Sequence, residues 1–487
     1  MIRPAGATLA LTVGLLAACS SSHPASPHFG DVLAAKVTVD AMFAHLRALQ
    51  DIANAHKGNR AEGTPGFAAS VDYVAKALRN KGFDVSTPQF DRLYTASAGQ
   101  PRLTIADHDY AVDQASLLVQ TPPGGITAPV MRPAKAAGCA VSDYAGAAPK
   151  GAIAVVDDSG CTVVDKQKAA AAKGAAALVV TSEPGHAGAP PKLFNPGYYD
   201  QLTMPVAVVG AEGAAALRDT TGPVRLTLDT ATVKITSRNV LAQTKTGSAH
   251  DVVMVGAHLD SVPQGPGIND NATGVAAVLE TALQLGSSPR LTNMVRFAFW
   301  GAEESGLNGS LDYVFGLGRD ELNDVALYLN FDTLGSANAG FFTDDGDQSA
   351  PGGSGGAPQE VPTGSAGIER TLAGYLNLAG KRPFDLPLST KSDYSPFLVA
   401  GVPIGGMTTG SSQTKTTVQA RIWGGQAGVA FDPNYHSARD TLDNVNRDAL
   451  AIMGSGVAFA VGTYAQSIDG VNGVPGHDQR HRKQVRP

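Results

Sequence analysis

Hydrophobic positions recur with helical spacing early in the chain and later form short apolar runs separated by helical segments. The stretches "VTVDAMFAHLRALQDIANAHKG" and "SVDYVAKALRNKGFDV" predict helices that end before Gly82. From about residue 237, the apolar runs "DVVMVGA", "MVRFAFW" and "VALYLNF" alternate with helical segments such as "ATGVAAVLETALQLG". Near-continuous apolar strands that alternate with helices predict an α/β fold whose mostly parallel, mixed sheet is covered by helices on both faces.

The pattern differs between residues 118 and 232. Short β-branched runs such as "GAIAVVDD" and "MPVAVVGAE" surround one alanine-rich helical stretch, which predicts a separate small α/β segment. The Gly- and Ser-rich stretch that begins at Asp344 predicts a mobile loop. The polar, basic end of the chain, 471–487, predicts a disordered tail.

The N-terminus has the pattern of an export signal. An apolar run follows Arg3 and is too short to span a bilayer. It ends in "LAAC", which resembles the bacterial lipobox. The resemblance implies a lipoprotein signal peptide at 1–18, lipidation of Cys19 and a polar tether at 19–34. An ordinary cleaved signal with an incidental cysteine is the alternative.

Composition adds limits rather than a function. A chain of 487 residues predicts two or three domains. Its net charge of −6 gives no reason to expect a nucleic-acid partner. Export places the chain in an oxidising compartment, so Cys139 and Cys161 are candidates for a disulfide bond. Metal binding by these two thiols is the weaker alternative.

Acidic residues and histidines follow the predicted strands and their loops. Ligands of open parallel sheets bind just beyond the carboxyl ends of the strands, so we expect these side chains to converge at one sheet edge. So many acids at one edge need a cation to balance their charge. The set comprises five potential metal ligands and two further carboxylates: His258, Asp260, Asp270, Glu303, Glu304, Asp332 and His436.

The residue types at this edge favour zinc. Mixed histidine and carboxylate ligation suits Zn²⁺, whereas calcium and magnesium prefer oxygen ligands. Two histidines, two terminal carboxylates and one shared carboxylate suit two metals about 3.5–4 Å apart. Asp260 lies two residues after His258, so it can accept the second imidazole N–H. Of the adjacent Glu303 and Glu304, one can bind metal while the other acts as general base.

Five motifs of this chain resemble those of the co-catalytic dizinc aminopeptidases, the bacterial secreted leucyl aminopeptidase type. These motifs are "GAHLDS", "GPGINDNATG", "WGAEESGLNGS", "LNFDTLGS" and "NYHSARDTLDNV", in the order of the family. The resemblance implies that His258 and Asp332 bind one zinc and that Glu304 and His436 bind the other. It implies that Asp270 bridges the two ions.

The same resemblance implies roles for the residues around the metals. Glu303 would be the general base, Asp260 would orient His258, and Tyr435 would hydrogen-bond the tetrahedral intermediate. A cis peptide is implied between Asp270 and the residue that follows it. The family often carries histidine where "KSDYSPF" has Tyr394, so the preferred substrate side chain is left open.

The segment 118–232 resembles the protease-associated domain. Two cysteines, a lysine before a buried strand, a helix and a further strand occur there in the order of that family. The domain is non-catalytic and usually inserted beside a peptidase site. The resemblance therefore implies a peptidase domain split into 35–117 and 233–470.

Three features have a simpler explanation than function. The glycine-flanked Ser354 matches a nucleophile motif but lies in the predicted loop rather than between a strand and a helix. His477 and His481 have the spacing of helical ligands but lie in the basic tail, where solvation is expected. Asn271 begins a glycosylation sequon inside the expected active-site turn, so chance is the better explanation.

The resemblance implies an exported, lipid-anchored aminopeptidase with two Zn²⁺ per chain that removes apolar, leucine-like residues from peptides with a free N-terminus. A metal-bridged water would attack the peptide bond with Glu303 as base. We expect membrane attachment through Cys19, no nucleic-acid partner and a monomer. A related dizinc carboxypeptidase, a single-zinc glutaminyl cyclase and a non-catalytic binding or receptor protein on the same fold are the alternatives.

Overall fold

The computed structural model of the chain describes residues 28–144, 150–182, 193–195, 197–350 and 360–484. The predicted signal peptide, Cys19 and Ser354 lie outside the described residues. Within them, the helices are α1 (Phe29–Ala34), α2 (Val39–Ala55), α3 (Pro65–Asn80), α4 (Val163–Ala172), α5 (Ala211–Asp219), α6 (Thr273–Leu285), α7 (Asn308–Gly316), α8 (Arg319–Asp324), α9 (Ser365–Leu378), α10 (Ser395–Val399), α11 (Thr417–Trp423) and α12 (Arg447–Gln466). The strands are β1 (Asp84–Ser86), β2 (Gln89–Ser97), β3 (Arg102–Ile105), β4 (His108–Gln114), β5 (Ile126–Ala128), β6 (Val130–Met131), β7 (Ile153–Asp157), β8 (Ala177–Thr181), β9 (Val206–Val209), β10 (Val224–Thr227), β11 (Ala231–Arg238), β12 (Val240–Gln243), β13 (Ser248–His258), β14 (Asn293–Trp300), β15 (Val325–Phe331), β16 (Phe342–Asp344), β17 (Phe384–Leu386) and β18 (Ile404–Thr408).

The chain divides into two compact units. The first unit comprises residues 1–61, 69–86 and 240–487, and the second unit comprises 62–68 and 87–239. The sequence predicted that the inserted domain begins near residue 118, whereas the second unit already includes β2, β3 and β4. The reason is strand pairing, because β2 pairs with β11 and β3 pairs with β4 and β10.

A mixed sheet forms the framework of the first unit. Among the described residues its strand order is β1-β12-β14-β13-β15-β18-β16-β17. The central strands are parallel, because β13 pairs in parallel with β14 and β15, and β15 pairs in parallel with β18. Antiparallel pairs of β12 with β14 and of β16 with β18 extend the sheet on both sides. The predicted mostly parallel, mixed sheet is therefore confirmed.

Both faces of the central strands of this sheet are buried. Side chains alternate between the faces of a strand, and Met254, Trp300 and Tyr328 pack on one face with Phe397 of α10 and with residues of α7 and α8. The alternating positions, such as Val255, point to the opposite face, where α6 and α12 contact the central strands. Burial on both sides explains why these strands are almost continuously apolar in sequence.

The long helix α12 belongs to the core of the first unit. Its length and composition would allow it to cross a membrane, but 67% of its most apolar stretch is buried. Helix α1 packs on it, and Gly462 approaches Gly30 so closely that a Cβ at position 462 would lie 2.8 Å from the Gly30 Cα. The sequence predicted a polar tether for 19–34, but its described end forms this helix because Leu33 is buried.

The end of the chain also differs from the prediction of a disordered tail. Arg480 and Arg482 are only 6% and 7% exposed. Arg480 donates hydrogen bonds to the main-chain oxygens of His250 and Asn323 at 2.7 and 2.8 Å. The guanidinium groups hold the described part of the tail, up to residue 484, because they satisfy carbonyl groups that would otherwise be buried without partners.

The second unit is a small α/β fold around its own sheet. The strand order among the described residues is β5-β10-β3-β4-β9-β8-β7-β6, and β7, β8 and β9 are parallel neighbours. Val163 of α4 and Leu217 of α5 belong to two separate hydrophobic clusters of this unit. Cys139 and Cys161 form a disulfide bond, which confirms that prediction.

Candidate metal centre

Three adjacent parallel strands bring the predicted site residues to one sheet edge. His258 is the last residue of β13, and Asp332 directly follows the last residue of β15. Glu303 and Glu304 follow β14 after a turn of two residues. Because β13 pairs in parallel with both neighbours, the three strands end side by side and their polar side chains converge.

Asp270 lies between two histidines at the centre of this edge. On one side, His258 Nε2 lies 3.1 Å from Asp270 Oδ1 and 3.5 Å from Asp332 Oδ1. On the other side, His436 Nε2 lies 3.0 Å from Asp270 Oδ2 and 3.1 Å from Glu304 Oε2. Two histidine–carboxylate pairs thus share Asp270, each through a different oxygen. We refer to these five residues as the central cluster.

Hydrogen bonds fix the turn that carries Asp270. The main-chain N–H groups of Asn269 and Asp270 donate to the two carboxylate oxygens of Asp440, at 2.6 and 3.0 Å. The Asp270–Asn271 peptide is cis, as the resemblance implied. Asn271 is fully buried, and its amide nitrogen donates to the Phe331 main-chain oxygen at 2.9 Å. This burial agrees with a chance origin of its glycosylation sequon.

Asp260 supports the site differently from the prediction. The distance from His258 Nδ1 to the Asp260 carboxylate is 3.8 Å, whereas the distance from the same nitrogen to the Asp260 main-chain oxygen is only 3.1 Å. The carboxylate instead accepts hydrogen bonds from the main-chain N–H groups of Glu303 and Glu304 at 3.1 and 3.3 Å. Asp260 therefore orients the imidazole mainly through its backbone and holds the glutamate turn through its side chain.

Arg60 is a site residue that the sequence reasoning missed. Its guanidinium is fully buried and donates to the main-chain oxygens of Leu259, Pro266 and Gly267, in the loop between His258 and Asp270. Burial lowers its pKa to about 10, although Asp260 and other nearby carboxylates oppose that shift. Arg60 lies in the Gly-rich stretch "GNRAEGTPGF", and nothing in that local sequence showed that its arginine would be buried.

Tyr435 and His436 enter the site from a loop before α12. The two rings stack with centroids 3.8 Å apart and an interplanar angle of 14°. Burial and the charges of Asp270 and Asp332 raise the pKa of the Tyr435 hydroxyl, so it stays protonated as a hydrogen-bond donor. The structure therefore brings Tyr435 to the central cluster, as predicted.

The electrostatics of the cluster reflect crowded, buried acids. Burial and the neighbouring Asp270 raise the pKa of Glu304 to about 7, and burial raises the pKa of Glu303 well above its usual value. Burial alone would lower the pKa of His436, but its contacts with Asp270 and Glu304 raise it to about 10. Burial would also lower the pKa of His258, but the nearby carboxylates outweigh this effect and raise that pKa well above its usual value. Such a site attracts positive charge.

The donor atoms fit divalent metal ions. Glu304 Oε1 is buried without a hydrogen-bond partner among the described residues, and the buried Asp270 Oδ2 and Asp332 Oδ1 face histidine nitrogens at 3.0 and 3.5 Å. Ligand atoms of His258, Asp270 and Glu304, and separately of His258, Glu303 and Asp332, lie within 4.8 Å of one another. Buried carboxylate oxygens beside imidazole nitrogens form the mixed donor set that zinc accepts.

Residues next to the cluster show where Tyr394 lies. Asp393 is buried and accepts a hydrogen bond from Ser310 at 2.5 Å, and Ser392 accepts one from Asn330 at 2.9 Å. Tyr394 is buried in the hydrophobic core of the first unit, and its hydroxyl accepts a hydrogen bond from the Ser389 main-chain N–H. The departure at this position therefore changes the core and not an exposed substrate surface.

Comparisons with known proteins agree with this geometry. Residues 239–461 match peptidase family M28, and residues 126–217 match the PA domain. The chain is 50% identical to a "Probable lipoprotein aminopeptidase LpqL" of Mycobacterium tuberculosis over 93% of this chain and 90% of that protein. It is 34% identical to "Leucine aminopeptidase 2" of Arthroderma otae over 99% of this chain and 94% of that protein. A solved structure of a zinc aminopeptidase from Bacillus subtilis shares 25% identity with a TM-score of 0.50 and covers 90% of this chain and 98% of that one.

Proposed function

Because the chain belongs to peptidase family M28 and is a zinc aminopeptidase, we propose that it removes apolar, leucine-like residues from the free N-termini of peptides outside the cell. The preference for leucine-like residues is supported by the name of the Arthroderma relative. A peptide's α-ammonium group carries a positive charge at neutral pH, which the acidic edge of the sheet attracts. That attraction favours free N-termini over blocked ones.

We assign two zinc ions per chain to the central cluster. His258 and Asp332 would hold one ion, Glu304 and His436 would hold the other, and Asp270 would be a ligand of both. The observation that carries this assignment is the position of Asp270, whose two oxygens face two different histidines at 3.1 and 3.0 Å. A carboxylate that offers one oxygen to each side is suited to a pair of ions about 3.5–4 Å apart.

Zinc, when bound, supplies a Lewis acid that polarises the peptide carbonyl and makes water more acidic. Glu303 lies beside His258 and Asp332, within 4.8 Å between the potential ligand atoms. From this position its carboxylate can accept a proton from the attacking water and pass that proton to the leaving amine. Asp260 holds the main chain of Glu303, and the protonated Tyr435 hydroxyl donates a hydrogen bond to the developing oxyanion.

We also propose that the mature protein is anchored to the membrane through a lipid on Cys19. The support is the "LAAC" motif and the word lipoprotein in the name of the mycobacterial relative. We propose that it acts as a monomer without a nucleic-acid partner, since one chain supplies every residue of the central cluster. Metabolic labelling with a fatty acid, compared between the natural chain and Cys19→Ala, tests the anchor. Light scattering, which gives the molar mass in solution, tests whether the protein is a monomer.

The catalytic proposal is tested by Glu303→Gln, which keeps the size of the side chain but removes the base. We expect the variant to keep its zinc and to lose about three orders of magnitude in kcat on a chromogenic leucyl substrate. The control is Glu212→Gln, which changes an exposed acid of α5. N-acetylated peptide should resist the natural enzyme. Equal hydrolysis of blocked and free peptides, or full activity of Glu303→Gln, would contradict the proposal.

A further inference from the structure

A second histidine–carboxylate cluster lies at the opposite end of β13. His250 is near the start of that strand, Asp324 ends α8, and His477 lies in the C-terminal segment. His250 Nδ1 lies 2.9 Å from Asp324 Oδ1, and His477 Nε2 lies 3.3 Å from the same oxygen. One potential ligand atom from each residue lies within 4.8 Å of the other two. We refer to these three residues as the surface cluster.

The surface cluster is separate from the central cluster. His250 and His258 stand eight residues apart on one extended strand. At a rise of about 3.3 Å per residue, their Cα atoms are roughly 26 Å apart. An ion bound at the surface cluster therefore touches neither the substrate nor the ions of the catalytic site.

The protein positions this cluster without help from a ligand. Arg480 fastens the C-terminal segment three residues after His477, through hydrogen bonds to the main-chain oxygens of His250 and Asn323. Its charge is compensated by an ion pair with Asp251. His477 is thus held beside its two partners in advance, which reduces the entropy lost on binding an ion.

The geometry suits a zinc-class ion. Zinc binds imidazole nitrogen and carboxylate oxygen at about 2.0–2.2 Å, so two tetrahedral ligand atoms lie roughly 3.3 Å apart. The distances from Asp324 Oδ1 to the two histidine nitrogens are 2.9 and 3.3 Å. His477 Nδ1 lies 3.3 Å from Asp478 Oδ1, which favours the proton on Nδ1 and leaves the Nε2 lone pair for an ion. The Asn323 amide, 3.0 Å from that Nε2, would move aside when the ion binds.

We propose that the surface cluster binds a zinc-class divalent ion, with His250, Asp324 and His477 as protein ligands and water in the remaining position. The ion fastens the C-terminal segment to β13 and takes no part in peptide hydrolysis. Mixed imidazole and carboxylate ligands with an open position are an established zinc arrangement in proteins.

The test compares the full chain, purified without a polyhistidine tag, with His250→Ala and His477→Ala. The matched control is His481→Ala, because His481 is an exposed histidine of the same segment. Zinc per chain is measured after equilibrium dialysis, and limited proteolysis measures how fast the C-terminal segment is cut. We expect the two cluster variants to bind one zinc fewer than the natural chain and the control. At free zinc about 100 times the dissociation constant, zinc should slow cleavage about 100-fold in the natural chain and the control only.

The proposal is overturned if all four proteins bind the same amount of zinc and zinc protects their C-terminal segments equally. Hydrolysis of a leucyl substrate is measured in parallel and should be unchanged in the cluster variants. If none of the four proteins hydrolyses the substrate, the proposed function fails. The zinc count and the cleavage rates still decide the surface cluster on their own.

Discussion

Strand β13 has a histidine–carboxylate cluster at each end, and the two clusters differ mainly in the burial of their β13 histidine and of the carboxylate that two histidines share. The side chain of His258 in the central cluster is 3% exposed, whereas that of His250 in the surface cluster is 74% exposed. Water can solvate the half-buried acid Asp324, whose side chain is 31% exposed, but it hardly reaches Asp270, whose side chain is 5% exposed. Similar side chains therefore form two kinds of site. The central cluster needs cations to balance its buried charge, whereas the surface cluster can bind a cation but does not need one.

Each cluster depends on an arginine that binds main-chain carbonyls. Arg60 is 0% exposed and holds the loop between His258 and Asp270, while Arg480 is 6% exposed and holds the segment of His477. Arg60 supports a rigid active-site loop, and Arg480 supports the end of the chain. The contrast predicts different consequences when either arginine is lost.

Removal of the shared carboxylate should have the largest effect. Asp270→Ala takes away the oxygens that face His258 and His436, so we expect the central cluster to lose its zinc and kcat/KM to fall by more than about three orders of magnitude. Zinc analysis and leucyl substrate kinetics check this. The surface cluster should keep its ion in this variant. An active Asp270→Ala enzyme with a full complement of zinc would contradict the bridging role.

Loss of the buried arginine should have an intermediate effect. Arg60→Met leaves three main-chain oxygens without their donor, and we expect about 3 kcal/mol of destabilisation. Because the loop then positions Asp270 poorly, zinc affinity of the central cluster should fall about 10- to 100-fold. Urea unfolding measures the loss of stability, and zinc titration measures the fall in affinity. Arg60→Lys, which keeps the charge but not the planar fork, should recover only part of the loss; unchanged stability of Arg60→Met would refute this role.

The smallest effect on activity is expected for the tail arginine. Arg480→Met should speed proteolysis of the C-terminal segment and weaken zinc binding at the surface cluster by about tenfold, because His477 is then no longer held in place. The kcat of leucyl hydrolysis should not change. A fall in kcat comparable to that of Arg60→Met would show that the two ends of β13 are not independent.

The sequence was sufficient to predict the central cluster because of a geometric rule. Apolar runs located β13, β14 and β15, and parallel strands place the residues that follow them at one edge. Strand direction alone was therefore enough to predict that His258, Glu304 and Asp332 lie at this edge, without knowledge of the packing. The family resemblance then added the distribution of the ligands between two ions and the cis peptide after Asp270, which local pattern does not encode.

Contacts between distant segments were not predictable in this way. His250 and His477 come together because Arg480 and Arg482 hold the described part of the C-terminal segment against main-chain oxygens, and a basic, polar tail gives no periodic signal of such contacts. Arg60 was missed for the same reason, since its partners are main-chain oxygens some 200 residues away. The inclusion of β2 in the second unit likewise depended on the pairing of β2 with the distant β11.

Anomalous diffraction at the zinc edge from crystals of the zinc-loaded protein tests the central claim most directly. At the central cluster we predict two peaks about 3.5–4 Å apart on either side of Asp270, one contacted by His258 and Asp332 and the other by Glu304 and His436. A single peak at this cluster, or two peaks there that do not both contact Asp270, would contradict the account of a bridged two-zinc centre.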